Sequence, residues 1–179
     1  DAEPDATPDA TPIADTPAGI GKRDADPVVM LGANLPNASQ IKATELVAFA
    51  RRSGQWVQIP VQVDERLVQD FCEVYGKSSG LWTEGPACKT NQVVNALFYA
   101  DVQTFTGADP DASIDGDDEV VLMARDAGDR IGTWSEPAGV IAGSGIEVEL
   151  RDEVHGETAY AYLFTRSDST LSPGAGESY

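Results

Sequence analysis

Six carboxylates fall within the eleven residues Asp109-Pro110-Asp111-Ala112-Ser113-Ile114-Asp115-Gly116-Asp117-Asp118-Glu119, several at alternate positions. Calcium takes about six to eight oxygen ligands in a flexible geometry, and alternate side chains of a tightly curled loop can all face one centre. Asp111, Ser113 and Asp115 read as ligands one, three and five of such a loop, with Gly116 where the chain must turn sharply. Asp109, Asp117 and Glu119 extend the candidate set. The twelfth position, where an EF-hand places a bidentate glutamate, is Leu122, so an ordinary EF-hand is not expected. Asp117 or Glu119 could substitute from the nearer side, as in short calcium loops between strands. The alternative is a solvated acidic turn, but carboxylates crowded this closely repel one another unless a cation neutralises them. The expected cofactor is therefore calcium.

A second pair of acids, Asp64 and Glu65, follows the run Gln58-Ile59-Pro60-Val61-Gln62-Val63, and either could complete a cation site from a distant part of the chain. Asp64 is taken as the candidate ligand; a lone surface acid is the alternative. Other chemistry has little to use. The one histidine, His155, lies in a polar turn and reads as an exposed hairpin residue. One histidine cannot build a multi-histidine zinc sphere. Two carboxylates alone can hydrolyse a glycoside, but 30 acidic residues offer too many pairs to name one. Among the aromatic residues, Trp56 and Trp134 read more readily as core than as ligand platforms. Trp82 is the exception, a candidate for stacking on a ligand, because it lies between Cys72 and Cys88. Those two cysteines bracket a loop-like Gly/Ser-rich segment and are expected to pair, a staple of about 3 kcal/mol on chain-entropy grounds; two free thiols are the alternative.

The elements that must position these residues are mainly strands. Val57, Ile59, Val61 and Val63 alternate with Gln58, Pro60 and Gln62, which predicts one strand over 56–64 with a buried and a wet face. Pro60 lacks a donor and places that strand at an edge or a bulge. Further strands are expected at 28–31, 93–99, 120–123, 139–142, 146–150 and 159–164, the last two joined by a polar connector over 151–157. Residues 45–51 are read as a strand leading into a turn at Arg51-Arg52-Ser53-Gly54-Gln55, with a helix over 39–52 as the alternative. Seven or eight short strands with Gly-rich turns, and no strand-helix-strand rhythm, predict a mostly β fold: an antiparallel, jelly-roll-like β-sandwich.

Composition bounds the rest. With 30 Asp and Glu against 12 Lys and Arg, the formal net charge is −18. Such a surface repels phosphate backbones, which argues against nucleic acid and for cations or basic partners. No stretch approaches the ~18 consecutive apolar residues of a membrane span. Residues 1–26, which open with Asp-Ala-Thr-Pro repeats, are poor in large apolar groups and read as a disordered acidic tether. Residues 27–179 then form a single β domain that could be truncated at its C-terminus. Tethers of this kind follow signal-peptide cleavage sites or lipidated cysteines, so the expected setting is extracellular or periplasmic, including an outer-surface lipoprotein anchored upstream of residue 1.

The run from Trp56 to Arg66, followed later by Asp115-Gly116-Asp117-Asp118-Glu119 and an apolar strand, resembles uncharacterised secreted bacterial β-sandwich domains. Some of these are similar to modules that accompany polysaccharide-degrading enzymes. The resemblance implies a surface or carbohydrate-related setting and carries over no catalytic residue. The expectation is a calcium-stabilised module that binds a glycan or a surface protein, or serves in surface assembly. The alternative is a calcium-dependent glycan hydrolase or lyase, or the N-terminal part of one.

Overall fold

The computed structural model describes residues 20–74, 93–104 and 106–176. Within them the chain is mostly β, arranged in three antiparallel sheets with strand orders β1-β7-β4, β3-β2-β9-β8 and β5-β6. The strands are β1 Pro27–Leu31, β2 Leu46–Arg52, β3 Gln55–Ile59, β4 Gln62–Asp64, β5 Arg66–Asp70, β6 Asn95–Tyr99, β7 Glu119–Met123, β8 Ile146–Asp152 and β9 Glu157–Thr165. One turn of α-helix, α1, covers Phe71–Val74.

The four-stranded sheet is buried on both faces, and the sequence of β2 shows why. Leu46, Ala48 and Ala50 point to one side, where they meet Ala159, Ala161 and Leu163 of β9 and Val120 and Leu122 of β7. Val47 and Phe49 point to the other, into an aromatic cluster with Tyr162, Phe164, Trp56 and Trp134. A strand covered on both faces loses the alternation of a half-wet one, so residues 46–50 are all buried. Coverage on both faces favours strand over helix for this segment, since a helix would turn the same five side chains around its axis. The hairpin to β3 is closed by Ser53 and Gly54, with φ of 47° and 76° between the paired residues Arg52 and Gln55. Positive φ at both positions matches the twist of the flanking strands, hence the glycine.

The single strand expected over 56–64 is two strands in two sheets. β3 is an edge of the four-stranded sheet and β4 an edge of the three-stranded one, with Pro60 and Val61 at the corner between them. Proline has no amide to give to either ladder, so the break falls there at little cost. The amide of Val61 instead donates to Pro173 O at 2.9 Å, and Gln58 Nε2 donates to Ser172 O at 2.7 Å. The C-terminal segment thus covers the corner.

Three further expectations are revised. Residues 139–142 form a turn, with only an isolated bridge from Val140 to Arg166, rather than a strand. β5 was not foreseen: it pairs with β6 in a sheet of its own. The folded body includes Ile20, 4% exposed in the main core with its amide on Ala124 O at 3.2 Å, so it begins before the expected tether boundary at residue 26. Trp56 and Trp134 take the core role: their rings lie 5.2 and 4.8 Å from that of Tyr162, edge to face, and Trp56 Nε1 donates to Ser135 O at 2.8 Å. His155 sits in the β8–β9 turn as read, its ring bonded to the buried carboxylate of Asp152 at 2.5 Å. Cys72 is buried in α1, whereas Cys88 and Trp82 lie outside the described residues.

Candidate metal centre

The acidic segment runs across one end of the sandwich and is built from short carboxylate-to-backbone turns. Asp109 Oδ1 accepts from Asp111 N at 2.7 Å, Asp111 Oδ1 from Ser113 N at 3.0 Å, and Asp115 Oδ1 from Asp117 N at 3.0 Å. Each side chain folds back on the amide two residues ahead, the local preference that makes aspartate a loop residue. The loop is fixed to the body by Ile114, which is buried and donates its amide to Ile41 O at 2.9 Å. Gly32 fixes it from the other side, its amide on Asp118 O at 2.9 Å. A Cβ at residue 32 would lie 1.7 Å from Asp115 O, so the backbones approach this closely only because residue 32 is glycine.

Three carboxylates converge where this loop meets the β4–β5 link. One oxygen each from Glu65, Asp109 and Asp118 lies within 4.8 Å of the others. Asp118 is fully buried; Oδ1 accepts from Arg66 N and Oδ2 from Asp115 N, both at 2.8 Å. Glu65 differs. Both its oxygens are shielded from solvent and neither has a hydrogen-bond partner. Burial pushes the Glu65 carboxyl up to about 7, and the negative charges of Asp118, Asp109, Asp115 and Asp111 add to the rise. Asp117 is pushed up to about 6, chiefly by its hydrogen bond with the Asp115 side chain, which is itself held below its ordinary value. The end of the sandwich therefore concentrates negative charge around an acid that no protein group satisfies.

The predicted ligands divide between this centre and other tasks. Asp109 is in the three-carboxylate group, and Asp111 and Asp115 are near enough to act on Glu65 through their charge. Glu119 faces away: its carboxylate takes Arg66 Nη1 at 2.6 Å and the Tyr99 hydroxyl at 3.0 Å. Asp117 offers its carbonyl to Arg66 Nε. Ser113 forms an isolated bridge with Lys42. Asp64 accepts from Gln62 Nε2 at 2.5 Å, and Glu65, rather than Asp64, comes to the cluster from this part of the chain.

Of the three clustered acids, Asp118 was not among the predicted ligands and Glu65 was named only beside the preferred Asp64, yet a signal for both lay in the two-residue period of their strands. Glu65 continues the parity of Ile59, Val61 and Val63, of which Ile59 and Val61 are buried; Asp64 shares the parity of exposed Gln62. Asp118 likewise continues the inward parity of Val120 and Leu122, whereas Glu119 takes the outward one. Leu122, where an EF-hand glutamate would stand, is 2% exposed in the core, and the glutamate here arrives from the β4–β5 link instead.

Chemically the centre offers oxygen ligands only. Hard cations prefer such a set, and the absence of nitrogen or sulfur disfavours zinc and copper. Comparison with protein-family models, curated proteins and solved structures finds no match to this chain. Among the described residues no helix is long and apolar enough to cross a membrane.

Proposed function

We propose that this protein is a secreted or surface-tethered β-sandwich module, stabilised by calcium, that serves in binding or surface assembly. The observation that carries the reading is Glu65: a carboxylate shielded from water, without a hydrogen-bond donor, beside Asp109 and Asp118. Burying an unpaired charge costs several kcal/mol, and a bound cation removes that cost. Calcium is favoured over magnesium because the carboxylates come from two separate connections, an irregular set that suits a large ion with permissive geometry. The cation orders the loop and need not touch the ligand.

The acidic surface, the Asp-Ala-Thr-Pro repeats and the resemblance to modules that accompany polysaccharide-degrading enzymes support an extracellular setting and a glycan or surface protein as partner. A contact surface is available on β5 and β6, where Val68, Leu97 and Tyr99 are exposed; Tyr99 is the most exposed aromatic ring among the described residues. Pairing of Cys72 with Cys88 belongs to the same proposal and would close the segment between them.

The deciding measurement is thermal unfolding in excess calcium against excess chelator, for the wild type and Glu65→Gln. At roughly a hundred times its dissociation constant, an ion that binds only the folded state adds about 2.7 kcal/mol, several degrees in the midpoint. A rise in the wild type that the Gln variant lacks supports the reading; equal midpoints with and without calcium in the wild type reject it. Turnover of any member of a glycan panel would replace the binding role with an enzymatic one.

A further inference from the structure

The β5–β6 hairpin is the least anchored part of the described fold. It shares no strand ladder with either larger sheet, and among the described residues it contributes no side chain to the two buried hydrophobic clusters. On one face Val68 and Leu97, paired across the strands, are 62% and 43% exposed, with Tyr99 beside Leu97 at 58%. Its other face, with Leu67, Ala96 and Phe98, is only partly buried.

Among the described residues, the hydrogen bonds from its strands to the larger sheets and the acidic loop gather at one end, around the acidic centre. The Arg66 amide donates to Asp118 Oδ1 and the Ala100 amide to Glu65 O, each at 2.8 Å. The Arg66 side chain reaches the Asp117 carbonyl and the Glu119 carboxylate, which also holds the Tyr99 hydroxyl. Away from that end, Gln69 Nε2 donates to Thr106 O at 2.9 Å, a tie to the turn that follows β6. Glu65 is the residue between β4, in the three-stranded sheet, and β5, in the hairpin. Its unpartnered carboxylate, together with Asp109 and Asp118, therefore lies at the joint between the two bodies of structure.

We propose that a hard divalent cation held by Glu65, Asp109 and Asp118 is a clamp that fixes the β5–β6 hairpin against the sandwich. Occupancy of the centre then controls the order of the exposed Val68, Leu97 and Tyr99 face. This rests on the cation reading above and adds a consequence specific to one element. With the ion, the β4–β5 joint is held from both sides through Glu65 and Asp118. Without it, repulsion among the carboxylates works against the same joint, and the local opening free energy of the hairpin falls below that of the buried sheet.

Two measurements on the full chain test the clamp. Calorimetric titration with calcium establishes whether the ion binds, and amide hydrogen exchange with calcium or chelator reads each segment. The clamp predicts that exchange over 66–70 and 95–100 slows by about tenfold or more with calcium, while 146–152 and 157–165 change far less. Glu65→Gln should lose that difference. Calcium binding with no preferential slowing of the hairpin overturns the clamp and leaves the cation reading intact. No calcium binding overturns both. The wild-type comparison alone decides these outcomes, so the test does not depend on the variant folding.

Discussion

Two regions of this molecule solve burial in opposite ways. Under the four-stranded sheet, Phe49, Trp56, Trp134, Tyr162 and Phe164 form an aromatic cluster in which Trp56 Nε1 donates to Ser135 O and the Tyr162 hydroxyl accepts from Ile131 N at 2.9 Å. At the acidic end the backbone is equally well bonded, yet Glu65 is withdrawn from water with nothing to receive it. The first region is stable on its own contacts. On the cation reading proposed above, the second is completed by an ion from solution, so its stability should depend on conditions that leave the first untouched.

That contrast can be broken at several points. Phe164 is fully buried in the aromatic cluster, and Phe164→Ala should cost about 3–5 kcal/mol in chemical denaturation. The loss should be the same in calcium and in chelator; a loss that depends on calcium would mean the two regions are not independent. Gly32→Ala forces a Cβ into Asp115 O and should cost about 3 kcal/mol. Because it displaces the loop as well, it should also weaken calcium binding in a titration.

Acidity separates the regions without a mutation. In the cation-free protein the Glu65 carboxyl titrates at about 7, above its ordinary 4.5, so between those values the folded chain holds more protons than the unfolded one. Stability should then rise as pH falls through that window, and Asp117, at about 6, acts in the same direction. With calcium this gain is offset, because protonation removes the ligands' charge and weakens binding of the ion. The gap between melting midpoints in calcium and in chelator should therefore narrow as pH falls from about 7 to about 5; a gap independent of pH would argue against the centre. Asp64→Asn is the smallest effect. Its carboxylate serves Gln62, and the substitution should change stability by less than about 0.5 kcal/mol with the calcium response retained.

Much of the architecture was legible in the chain. β1, β2, β7, β8 and β9 stand where apolar runs and turn residues place them, and the Ser53-Gly54 turn closes its hairpin as the motif requires. The acidic loop was legible as a concentration of charge, and the period of the flanking strands pointed Asp118 and Glu65 inward. β5 was hard to read because Arg66-Leu67-Val68-Gln69-Asp70 has little alternation and pairs with a strand more than 20 residues away.

The sequence by itself determined the strand-rich character, the strong negative charge and the crowding of carboxylates over 109–119, because these follow from composition and from the two-residue period of an extended backbone. Tertiary structure alone decided that Pro60 turns one apparent strand into edges of two sheets, that Arg66 claims Glu119, and that Glu65 joins Asp109 and Asp118. Each of these is a contact between residues distant along the chain. Their formation depends on how the sheets stack and on which polar group is left without a partner once they do, and no local pattern of residues encodes that.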